Sequence, residues 1–132
     1  MASDYIMTNM MKKLNISFDQ AIEKVQSALK DQGFGIITQI DVKETLKKKL
    51  NVEYQNYKIL GACNPLFAKE ALDIEKEVGT LLPCNVIVYE SDDGVQISIQ
   101  KPTEMMNILN NEDLNQLANK VESKLQKILD VL

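Results

Sequence analysis

A chain of 132 residues, nearly half of them apolar and a quarter charged, has the size and make-up of one globular domain spanning 1–132. Its net charge of −4 speaks against nucleic-acid binding, which needs a basic surface, and no apolar run reaches the roughly eighteen residues of a membrane span. Histidine and tryptophan are absent, which removes the commonest general base and every Ser-His, Cys-His or His-zinc arrangement.

The first residues, MASDYIMTNMMKK, lack a charged leader followed by an apolar core, so no secretory signal is expected. Two cysteines in a chain of this size need no disulfide, and the expected setting is the cytoplasm with free thiols. Residues 5–14 show mixed alternation and predict a first strand. Ser17 then opens a helix, with Gln20 placed to complete a capping box. Phe18, Ala21, Ile22, Val25, Ala28 and Leu29 form its apolar stripe, and Gly33 ends it as a left-handed cap.

FGIITQI, residues 34–40, is β-branched and predicts a strand. Asp41 and Glu44 mark the next helix start. Val42, Leu46 and Leu50 give that short helix one apolar edge, while Lys43, Lys47, Lys48 and Lys49 stay outside. YKILGA, residues 57–62, is a third strand. Asn64 is a suitable N-cap and Pro65 suits the first helical position. Phe67, Ala71, Ile74 and Val78 then recur at helical spacing up to a stop at Gly79. LLPCNVIVYE, residues 81–90, reads as a strand buried on both faces, with Pro83 tolerated near its beginning.

Asp93-Gly94 signals a hairpin. Beyond it Val95, Ile97 and Ile99 alternate with Gln96, Ser98 and Gln100 until Pro102 ends the strand. A connector with Met105, Met106, Ile108 and Leu109 leads to a last helix beginning near Asn111. Leu114, Leu117, Val121, Leu125, Ile128 and Leu132 are its buried face. Strands separated by helices are compatible with a parallel sheet, but these helices are short and irregularly placed, and the last two strands form a hairpin. The expected fold is α+β: an antiparallel curved β-sheet with the first and last long helices packed on one face and two short helical insertions at strand ends.

YKILGACNP at 57–65, ALDIE at 71–75, VGTLLPCNVIVYE at 78–90 and the segment 33–61 together resemble a bacterial and archaeal family, domain of unknown function three-hundred-and-two. The resemblance covers most of the chain, and its most specific feature is the pair of Cys-Asn dipeptides with Leu-Leu-Pro before the second. It implies a TATA-binding-protein-like β-α-β4-α fold and a homodimer, and it implies no activity.

Cys63, Asn64, Cys84 and Asn85 are the candidate site. If the third and fourth strands are antiparallel neighbours, both cysteines fall at one end of the sheet beneath the helix from 65 to 78. Three readings are open. The cysteines are small apolar fillers and the asparagines local caps, in a structural or interaction domain. The four residues line a small-molecule pocket beside a helix N-terminus. Or the thiols cycle through a disulfide or hold a soft metal, with further ligands from a second subunit. Glu70, Asp73 and Glu77 share a helix face with Lys69 and Lys76 and read as solvated, as do Lys47, Lys48 and Lys49. The methionines at 7, 10, 11, 105 and 106 read as core filling. Gln96, Ser98 and Gln100 make a polar, uncharged sheet face, suited to a wet subunit interface or to solvent and not to DNA. The expected function is non-catalytic binding of a small molecule.

Overall fold

The computed structural model describes residues 9–132. Positions 5–8 of the expected first strand, Met7 among them, lie outside the described residues. The elements run β1 (Asn9–Leu14), α1 (Phe18–Asp31), β2 (Gly35–Asp41), α2 (Val42–Leu50), β3 (Tyr57–Cys63), α3 (Pro65–Ile74), β4 (Cys84–Ser91), β5 (Gly94–Gln100), α4 (Pro102–Met106) and α5 (Glu112–Asp130). Short 3-10 segments occupy Lys76–Leu81 and Asn107–Leu109. The five strands make one antiparallel sheet, ordered β1-β5-β4-β3-β2, curved and open.

Alternation decides which face of the sheet is covered. Met10, Leu60, Ala62, Val86, Val88, Val95, Ile97 and Ile99 are buried in one cluster with Phe18, Ala21, Ile22, Val25, Ala28 and Leu29 of α1. Val121, Leu125, Ile128 and Leu129, from the second half of α5, complete that cluster. Both long helices therefore cover the same face. Lys12 also belongs to this face at the sheet edge, where its Nζ donates to the Leu129 carbonyl at 2.9 Å. A cation on the last turn of α5 suits the helix dipole there and ties β1 to the helix.

The local signals at helix starts are realised as hydrogen bonds. Ser17 Oγ accepts from Gln20 N at 3.1 Å, and Gln20 Oε1 accepts from Ser17 N at 3.2 Å. Asp41 and Asn111 cap α2 and α5 in the same way, accepting from Glu44 N and Leu114 N. Gly33 has φ +84, the left-handed stop expected of it. Ser17→Ala removes the side-chain cap and is expected to cost about 1 kcal/mol in urea unfolding with the denaturant slope unchanged.

Several sequence expectations need correction. The third helix stops at Ile74, not Val78, because Glu75 swings to φ −152 and its carboxylate takes the Glu77 N–H at 2.8 Å. That break starts the 3-10 segment and carries Val78 into full burial. The connector after β5 is helical, with Pro102 at the start of α4 and Glu122 of α5 accepting from Thr103 N and Oγ1. The hairpin turns at Asp92-Asp93, and Gly94 already pairs with Ser91 in the ladder. The apolar edge of α2 is not buried: Val42 and Leu46 are half-buried and Leu50 is 65% exposed.

The second face of the sheet also departs from expectation. Tyr57 and Tyr89 stack there with ring centroids 5.1 Å apart, beside half-buried Ile59 and Ile87. β4 is thus fully buried on one face only, through Val86 and Val88. Gln96 and Ser98 are not solvated; they are buried. Their strand lies inside the sheet, so Ser98 has Met11 and Ile87 in register on either side, and Gln96 has Lys13 and Tyr89. Gln96 Nε2 donates to the Lys12 and Ile97 carbonyls, 3.3 Å each.

Candidate functional site

A second, smaller apolar cluster forms under α3 and the 3-10 segment after it. Ala71, Val78, Met106, Leu114, Leu117 and Ala118 are its buried members. α5 serves both clusters, its first half facing this cap and its second half facing the sheet. Phe67 packs against both. Along the seam between them lies a cavity of about 330 Å³. Phe34, Ala62 and Val121 of the main cluster line one side, and Ala71, Met106 and Ala118 of the cap cluster line the other.

Three of the four candidate residues reach this cavity: Cys63, Asn64 and Cys84. β3 and β4 are antiparallel neighbours in which Ala62 faces Cys84, so Cys63, one residue on, lies beside it. The chain leaves the sheet at Cys63, builds the cap and returns at Cys84. Both thiols are free. Burial, with Cys63 nearby as a second cause, pushes the Cys84 thiol from 9.0 up to about 11. At neutral pH roughly one molecule in ten thousand then carries a thiolate at this position. A neutral thiol of this kind is a small hydrophobe with little nucleophilic power.

A measurable consequence follows from the sign of that shift. The folded thiol holds its proton to higher pH than the unfolded one, so its contribution to stability is whole below about pH 9 and disappears as pH rises towards 11. Cys84→Ala should flatten the decline of the thermal midpoint between those pH values. In a thiol titration of the folded protein at pH 8, Cys84 should react more slowly than after denaturation; equal rates would contradict a buried neutral thiol.

Asn64 does not cap α3 with its side chain. Its carbonyl starts the helix through Ala68 N at 2.9 Å, but its Nδ2 donates to the Gln32 carbonyl at 3.5 Å. The C-terminus of α1 competes successfully for the amide because Gly33 leaves room: a Cβ there would stand 3.2 Å from Asn64 Nδ2. Asn64 thus joins the cap helix to the end of α1. Asn85 is not brought to the site. It is exposed, pairs with Gly61, and follows Cys84 in an extended strand, so its side chain takes the opposite face of the sheet.

The sequence reading missed Phe67, Ala71, Met106 and Ala118. Ala71 and Ala118 leave the space, and their positions on buried helical stripes were visible, but small residues on such a stripe mark close packing as readily as a void. Among the described residues no group of three or more His, Cys, Asp or Glu side chains is placed to hold a metal ion. Nor is any helix among them long and apolar enough to cross a membrane. Glu70, Asp73 and Glu77 are exposed, and Asp73 pairs with Lys69 at 2.6 Å.

Fold and cavity together define the class: an antiparallel α+β domain with an apolar chamber under a helical cap. Residues 10–132 match the family described as domain of unknown function DUF302, and the chain belongs to that family. It is similar to an uncharacterised conserved DUF302 protein from Bacillus stearothermophilus, known from a crystal structure. The two share 30% sequence identity and a TM-score of 0.88 over 94% of this chain and 97% of that one. No curated protein matches.

Proposed function

We propose that this protein is a non-catalytic, cytoplasmic binding domain that holds a small molecule in the chamber between α3, α5 and the Cys63–Cys84 end of the sheet. The observation that carries this reading is the chamber itself, about 330 Å³ and lined by Cys63, Asn64 and Cys84. That volume falls at the small end of the roughly 300–1,000 Å³ of ligand pockets. No carboxylate or lysine lines it, which leaves no pair of groups for acid–base work. The thiol-chemistry alternative has less support, because Cys84 is held protonated. Native mass spectrometry of protein purified from its own cells tests the reading. A retained small molecule, lost on mild heating, is expected; a bare chain that no small-molecule panel stabilises thermally would sink it.

The domain also reads as a homodimer, as the family resemblance implies. In its support, β2 is an edge strand on which Ile40 is 49% exposed, and Val52 and Tyr54, after α2, are exposed large side chains as well. Edge strands are normally blunted by charge or covered by another chain. Light scattering should give the mass of two chains for the wild type and of one for Ile40→Glu.

A further inference from the structure

The lining also bears on which class of molecule the chamber takes. Resting on the binding reading above, we infer that the ligand is neutral and apolar, a compact hydrocarbon or aromatic molecule with no ionised group. An ion brought into this space would meet no counter-charge, since neither acidic nor basic side chains line it. Burying an unpaired charge is among the costliest events in protein energetics. The one carboxamide in the lining, Asn64, gives one of its two N–H donors to the Gln32 carbonyl, and it carries no charge. The two cysteines add polarizable, weakly donating sulfur, and Met106 adds a thioether.

Position argues the same way. The chamber lies where two apolar clusters meet without closing, bounded by Ala62, Ala71 and Ala118. An apolar lining gives water few hydrogen-bond partners and so favours apolar guests. A hydrocarbon here supplies the side-chain volume that these alanines omit, and joins cap to sheet. The mouth is apolar as well, with exposed Ile37 and Leu72 among the lining.

The test uses the full chain and the neutral fluorophore N-phenyl-1-naphthylamine, displaced by 1-octanol, octanoate or octylammonium. Saturable binding of one probe per chain is expected, with octanol displacing it at concentrations about tenfold or more below either ion. Ala118→Phe and, from the cap side, Ala71→Leu fill the chamber, and each should weaken the probe by about tenfold or more. Two variants are needed because either alone can fail to fold. Ions that compete as well as octanol overturn the neutral class while the binding reading survives. Probe binding that persists in both folded variants removes the ligand from this chamber. No saturable binding by the wild type overturns the inference, whereas a molecule retained in native mass spectrometry would still uphold the binding reading.

Discussion

Ile97→Ala is expected to lower the unfolding free energy by about 2–5 kcal/mol. Ile97 is 0% exposed and sits on β5, which has a partner strand on each side; its register partners are Lys12 and Val88. It belongs to the cluster where α1 and α5 meet the sheet. Truncation removes the apolar transfer energy and leaves a void that two paired strands cannot close. A domain of this size has about 5–15 kcal/mol in total, so between about an eighth and all of its stability is at stake. Urea unfolding at pH 7 is the measurement. A loss below about 1 kcal/mol would show that the core relaxes around the site and that Ile97 is not at its centre.

Gly94→Ala is expected to cost at least about 2 kcal/mol, because two penalties of roughly 1–3 kcal/mol each fall on one residue. The first is conformational: Gly94 has φ +151, where side chains other than glycine's are rare. The second is steric. A Cβ there would stand 2.5 Å from the Leu14 carbonyl oxygen, which is backbone of the neighbouring strand and cannot rotate away. The substitution therefore pushes β1 from β5 at the hairpin end. Gly35→Ala is the control, since a Cβ at that position meets nothing within 4 Å. It should change stability by less than about 1 kcal/mol. Similar losses from the two variants would mean that the hairpin end gives way at little cost.

What the sequence made legible is what local chemistry settles. Ser17 with Gln20, Asp41 and Asn111 announce helix starts because the partner N–H lies three residues away in the same chain. The alternation in 95–100 announces a strand because one face must be apolar. Elsewhere a distant group competed and won. Asn64 has the right residue type for a cap, yet its amide goes to a carbonyl 32 positions back. Pro102 was read as the end of a strand and is equally the start of a helix; only docking on Glu122 decides between them. The cavity residues belong to two clusters that converge on α5; the stretch from Leu114 to Val121 holds members of both, but their partners come from β3, α3 and α4, far off in sequence. One miss was avoidable. Cys84 and Asn85 are adjacent in a strand, and period-two geometry sends their side chains to opposite faces of the sheet.

The bond between Lys12 and the Leu129 carbonyl closes a span of 117 positions along the chain. β1, the first described strand, pairs with β5, which follows β2, β3 and β4 in the chain. During synthesis β1 must therefore stay without its partner strand until β5 has been made. Contacts so remote in sequence make for slow assembly, and newly made copies would present an unsatisfied strand to one another throughout that interval.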